Sequence, residues 1–123
     1  AFRNFASAKA NLGDFDDTAF KSAYDGLLQI SRALLFLNGY RSDDGDQHYT
    51  TFLVSGAILG DGFGELMEVI DSYRVKRNKC IYSPSGPISK TEAENILKTA
   101  EEYWGVAKKY IAMKNPQIKL FDF

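Results

Sequence analysis

The side chains of this sequence best suited to chemistry are Arg74, Arg77, Asn78 and Lys79, followed by Tyr82, with the chain's one histidine, His48, well upstream. An arginine presents a planar fork of donors that grips two phosphate oxygens, a lysine adds a point charge, and an asparagine adds an orientable amide. An imidazole moves a proton near neutral pH, whereas a phenol with an ordinary pKa of about 10 is a poor base there. The chemistry within reach is therefore the holding of a phosphate, with proton transfer only if His48 or Tyr82 supplies it. Bulk charge does not help, since 15 Lys and Arg against 16 Asp and Glu leave a net charge of −1. A chain that coats nucleic acid through overall positive charge looks different, so contact must come from a local patch, and residues 74–79 offer the only one.

The setting of the arginines is unusual. Phe63, Leu66, Met67, Ile70 and Tyr73 recur at helical spacing and make one apolar stripe, and continuing it leads to Arg74 and Arg77. Burying a guanidinium without a partner costs several kcal/mol. Either the helix leaves the core here, or a pocket or a partner surface meets the arginines. An isologous interface suits such a stripe, so a symmetric homodimer built partly from this helix is expected. Plainer roles compete. Arg74 and Arg77 can pair with Asp71 or Asp25, Asn78 can satisfy its own helix end, Tyr82 can be a buried ring, and His48 can sit at a loop rim. Lone Cys80 reads as a structural thiol of a reducing cytosol, which fits a cytoplasmic protein. With one histidine, one cysteine and an acidic run, Asp43-Asp44-Gly45-Asp46, that lacks the closing glutamate of a calcium loop, neither a metal nor a cofactor is expected.

Five helices and no strand are expected to position these groups. The first runs from Phe2 to Leu12 and closes at Gly13-Asp14. Asp16 or Asp17 should cap a long second helix, whose stripe is Phe20, Ala23, Tyr24, Leu27, Ile30, Ser31, Leu34 and Leu37 and whose stop is Asn38-Gly39. Gly26 inside it costs about 1 kcal/mol against alanine, which a closely approaching helix would explain. A polar loop, Tyr40 to Gln47, precedes a short third helix from His48 to about Ala57. Gly60-Asp61-Gly62 turns into a fourth, about Phe63 to Tyr82. The stretch Ser83-Pro84-Ser85-Gly86-Pro87 breaks the chain. Ser89 and Glu92 form a capping box for the last helix, which runs about 25 residues to Asn115-Pro116. Its apolar face is Ala93, Ile96, Leu97, Ala100, Tyr103, Trp104, Ala107, Tyr110 and Ile111, with Trp104 expected in the core. Short connections between amphipathic helices imply an all-α, up-and-down antiparallel bundle of about five helices. At 123 residues it is a single domain. The chain opens on Ala1 inside a helical pattern, so further residues are expected upstream, and no apolar run approaches the ~18 residues of a membrane span.

This order of features resembles the HEPN domains, a family of small all-α bundles, often dimeric, found in prokaryotic defence and toxin–antitoxin systems. The resemblance covers nearly the whole chain. It rests on Asp16-Asp17…Ala19…Ala23-Tyr24, Leu37-Asn38-Gly39-Tyr40-Arg41, His48 opening the short helix, Arg77-Asn78 late in the fourth helix, and Glu92-Ala93…Ala100-Glu101-Glu102. Catalytic members of the family are metal-independent RNA endonucleases in which an arginine, often followed by a polar residue, precedes a histidine by roughly a helical turn, two protomers bringing their motifs together. The resemblance thus implies catalytic roles for Arg77 and Asn78 at a dimer interface, but the residue five positions after Arg77 is Tyr82. Three readings follow. The site binds RNA or a nucleotide phosphate through Arg74, Arg77, Asn78 and Lys79 without turnover; or it cuts RNA weakly, with His48 as an accessory group or Tyr82 as proton donor; or Tyr82 accepts a nucleotide from a partner nucleotidyltransferase antitoxin. Outside the resemblance, a purely structural interaction bundle or a small-ligand carrier would use the same helices.

Overall fold

The first helix, α1 (Phe2–Asn11), packs across the second, α2 (Asp16–Leu37), and α3 (His48–Leu59), α4 (Gly64–Tyr82) and α5 (Lys90–Lys114) complete the bundle, with a single 3₁₀ turn over Asp61–Phe63 leading into α4. The computed structural model describes residues 2–40, 47–82 and 88–114, apart from the side chains of residues 2 and 80–82. No strand occurs among them, and the expected all-α bundle is what forms. The acidic run at 43–46, the 83–87 break and the tail from Gln117 lie outside the described residues.

The amphipathic pattern of α2 makes it the hub. Phe20, Ala23, Tyr24, Leu27, Ile30, Ser31 and Leu34 are all buried, so the expected stripe holds until Leu37 at its end. Its stop is also as expected: Gly39 takes a left-handed φ of +81° that disfavours a Cβ, and the Tyr40 N–H returns to the Leu35 carbonyl at 2.9 Å. Its start differs. Phe15 holds the N-cap position with no side-chain cap bond. The Asp16 carboxylate accepts from the Gly13 N–H at 2.7 Å, and that of Asp17 accepts from the Ile88 N–H at 2.9 Å. The Asp17 carboxylate is drawn away by a backbone donor 71 residues on, a long-range contact that stitches the start of α2 to the entry of α5.

At Gly26 the sequence cost is explained. A Cβ built there would lie 2.6 Å from Cε1 of buried Phe5, so α1 can lie this close to α2 only over glycine. Gly26→Ala should therefore lower stability by about 1–3 kcal/mol despite the better helix propensity, because overpacking of a ring outweighs it. Urea unfolding of the variant checks this, and a gain in stability would show that Phe5 moves aside freely.

The capping box of α5 is present in both directions: the Glu92 N–H donates to Ser89 Oγ and the Ser89 N–H donates to Glu92 Oε1, each at 3.1 Å. That backbone donor, and then Lys76, whose Nζ lies 3.0 Å from Glu92, hold the Glu92 carboxyl below the ordinary carboxylate range. The face of α5 also holds, apart from two rings at its margin, Trp104 and Tyr110, which are only partly buried. Tyr103 is the ring sealed in the core, whereas Trp104 is only partly buried, packing at its margin with the Lys108 ammonium 5.3 Å from the ring centroid. Adjacent helical residues point about 100° apart, so only one of the two can face α2 squarely. The Tyr103 hydroxyl meets Ser31 Oγ at 2.6 Å, and Ser55 Oγ donates to Ser31 at 3.1 Å, so three buried hydroxyls satisfy one another between α5, α2 and α3.

The helix directions follow from such pairs. Ser7 meets Ser22, Met67 packs on Gly56, and Lys76 reaches Glu92, so α1/α2, α3/α4 and α4/α5 run antiparallel. Strict alternation is interrupted once. Tyr24 pairs with His48 and Ser31 with Ser55, so α3 runs in the same direction as α2. Chain at ~3.3 Å per residue over the connection between Leu37 and His48 is long enough to return beside α2, which a tight helical hairpin is not. As a result α5 also runs along α2 in the same direction, with Ser31 on Tyr103 and the Tyr110 hydroxyl donating to Asn38 Oδ1 at 3.2 Å. No helix among the described residues is long and apolar enough to cross a membrane.

Candidate functional site

The return of α3 along α2 brings His48 to Tyr24, and α4 then descends over the same spot. The Tyr24 hydroxyl lies 2.9 Å from His48 Nδ1, with the two rings 5.7 Å apart. Phe52, one turn into α3, packs edge-on against Tyr24 at 5.9 Å and fixes its ring. From α4 the Arg77 guanidinium sits 5.2 Å from the centroid of the same ring. Three helices thus converge on one buried phenol, bringing an arginine and the single histidine to its two sides.

Arg74, one turn earlier, is held differently. Its Nε donates to Asp71 Oδ1 at 2.7 Å, and its guanidinium stacks 5.1 Å over the Tyr49 ring. The hydrogen bond to Asp71 raises its pKa further above the ordinary arginine value. The expected pairing with an acid therefore applies to Arg74. It does not apply to Arg77, whose Nε is buried with no hydrogen-bond partner among the described residues. A partly buried guanidinium with an unmet donor is a costly arrangement, and the π face of Tyr24 offsets only part of it. An anion supplying an acceptor would relieve the rest.

Of the remaining expected residues, Asn78 is partly buried beside Arg77, and Lys79 is exposed in the last turn of α4. The Tyr82 side chain lies outside the described residues. Sequence reading placed Tyr24 in the core stripe, where it is, but missed that its hydroxyl would organise the site; Tyr49 was missed altogether. A tyrosine in a core stripe, whose hydroxyl must find a partner once buried, was the available signal. Among the described residues no three histidine, cysteine, aspartate or glutamate side chains gather to hold a metal ion.

Burial pushes the Tyr24 pKa from 10.0 up to about 12, with Arg77 and then Arg74 pulling the other way. The phenol is therefore protonated at any physiological pH. It can donate to neutral His48 or accept from the imidazolium, so the pairing survives either charge state of the histidine. The linkage has a definite sign. A raised pKa means that the folded state holds the proton more tightly, so the stabilisation is complete below pH 10 and disappears as the pH rises towards 12. At about 1.4 kcal/mol per unit, some 2–3 kcal/mol should be lost across that window. Melting temperatures of wild type and Tyr24→Phe, measured from about pH 9 to pH 12, should converge as alkali removes what the hydroxyl contributed. Parallel curves would show that Tyr24 does not titrate in the fold.

Compared with protein-family models, with curated proteins and with solved structures, the chain matches none.

Proposed function

We propose that this protein is a HEPN-like bundle that binds RNA or a nucleotide through its phosphate, with Arg77 as the gripping group and Arg74, Asn78 and Lys79 around it. What carries this reading is Arg77 itself: a guanidinium seated on the Tyr24 ring, its Nε buried and without an acceptor among the described residues, while its neighbour Arg74 is occupied by Asp71. A small shift of the side chain on the ring would open Nε to a phosphate oxygen, with a second oxygen meeting the other arm of the fork. One copy brings little positive charge in a chain of net −1, so binding works best in a symmetric homodimer that doubles the cluster.

The test is fluorescence anisotropy with a short single-stranded RNA. Wild type should bind with a steep loss on adding salt, and Arg77→Ala should lose at least tenfold in affinity at low salt. Equal binding by the two proteins would remove Arg77 from the site and leave a structural interaction bundle.

A second reading, slow RNA cleavage, is favoured by the contact between His48 and Tyr24 on the ring that Arg77 covers. That arrangement sets a group able to move a proton near neutral pH beside the phosphate grip, in the absence of a histidine at position 82. Regulation by a partner nucleotidyltransferase acting on Tyr82 belongs with this toxin-like reading.

A further inference from the structure

The helix α3 carries no Asp, Glu, Lys or Arg and is mostly apolar after its first turn, yet only Thr51, Phe52 and Ser55 are buried, and Tyr49 and Leu53 are more than half exposed. Its uncovered side forms one wall of a groove of about 590 Å³ against α4, with Phe52, Leu53 and Met67 among its apolar lining. At Gly56 α4 closes onto α3 and bounds the groove, since a Cβ there would come within 3.1 Å of Met67 Cγ. The volume lies in the range of small-ligand sites, about 300–1,000 Å³. Among the described residues the charged groups lining it are all acids, Asp61, Glu68 and Asp71. Two of the lining residues also belong to the cationic cluster: Tyr49 lies under Arg74, and Asp71 is bonded to it.

We infer that this groove receives the base of a nucleotide whose phosphate lies on Arg77, and that it prefers guanine. The inference rests on the phosphate-binding reading above and adds the choice of base. Acids exclude the phosphate end of a ligand from the groove and direct it past Arg74 to the arginines. Carboxylates can only accept, so the base that fits must donate. Asp71 is engaged by Arg74, whereas Asp61 and Glu68 form no ion pair among the described residues. Guanine presents two adjacent N–H groups on its pairing edge, matching the two oxygens of one carboxylate. Uracil presents a single N–H flanked by carbonyls that a carboxylate repels. The exposed ring of Tyr49, at the junction of groove and cluster, offers a stacking face to any base.

The experiment compares binding of 5′-GMP and 5′-UMP by calorimetry. Wild type should bind GMP about tenfold more tightly than UMP, in line with one bidentate carboxylate contact. The double variant Asp61→Asn/Glu68→Gln, changed only at exposed positions, should erase the difference, GMP losing its bidentate partner and UMP losing the repulsion. Arg77→Ala should weaken both nucleotides alike. Equal binding of GMP and UMP by wild type, or a preference that survives the double variant, would overturn the assignment of the groove while leaving phosphate binding at Arg77 intact. If wild type binds neither nucleotide but still binds the single-stranded RNA, the assignment of the groove falls and phosphate binding stands; if it binds none of the three, both readings fall.

Discussion

Tyr103→Ala should come close to abolishing the folded state. The ring is wholly buried on α5 against α2, and truncating a buried aromatic costs about 3–5 kcal/mol. The loss does not end with the cavity, because Ser31 and Ser55 would keep their buried hydroxyls without the Tyr103 partner, at about 1–3 kcal/mol more. Against a typical total of about 5–15 kcal/mol, that is most of the stability of a domain this size. Tyr103→Phe keeps the ring and removes only the hydroxyl, so it should cost about 1–2 kcal/mol. Trp104→Ala, at the margin of the core, should fall below Tyr103→Ala in cost. Thermal and urea unfolding of the three variants gives the ranking. A Tyr103→Ala protein that melts within a few degrees of wild type would mean that the Ser31–Tyr103–Ser55 junction holds little.

The second large effect concerns turnover. General acid–base groups contribute about 10²–10⁴-fold to a rate. His48 is the chain's only imidazole, and Tyr24 holds it by Nδ1 beside the ring that Arg77 covers. Slow cleavage of single-stranded RNA by wild type should therefore drop by that factor in His48→Asn, which keeps a polar group of similar reach but cannot relay a proton. Tyr82→His places an imidazole five residues after Arg77, where the resemblance to catalytic HEPN domains would put one, and should raise cleavage above wild type. The readout is product formation from a labelled oligonucleotide, with binding measured in parallel so that lost affinity is not mistaken for lost chemistry. If His48→Asn cleaves as wild type does, His48 has no part in the reaction; if Tyr82→His brings no gain while RNA still binds, the site holds phosphate without cutting.

How far the sequence could be read depended on how local each contact was. The Ser89–Glu92 box, the Asn38-Gly39 stop and the stripes of α2 and α5 are set by residues within a turn of one another, and all four are present. The close approach over Gly26 could be read because a glycine inside a long helix is costly unless something lies against it. What could not be read came from distant parts of the chain. The Asp17 carboxylate looked like a cap and instead meets Ile88. Trp104 looked like core because periodicity fixes a face only to within a residue or so, and the neighbouring Tyr103 took the inward position. Of the α4 stripe only Ile70 is fully buried, because that helix lies over the bundle rather than within it. The site shows the same division. Arg77 stood out as a charge on an apolar stripe, but its meeting with Tyr24 and His48 depends on α3 running in the same direction as α2, a matter of tertiary topology that no local pattern encodes.

The uneven burial of the helices has a thermodynamic consequence. Helices α2 and α5 place many side chains in the core, and α1 locks onto α2 over Gly26, whereas α3 buries three residues and α4, among its described side chains, seals only Ile70. The molecule thus divides into a firm frame and a lightly held pair of helices, and such a pair opens at a lower free energy than the whole. The seam between them passes through the site, with Tyr24 on the frame and His48 and Arg77 on the pair. A ligand that needs the closed seam adds RT ln(1 + [L]/Kd) to the free energy of opening. Occupancy of the site and the local stability of α3 and α4 are then one linked equilibrium, so a protease that cuts the opened pair would report the concentration of ligand.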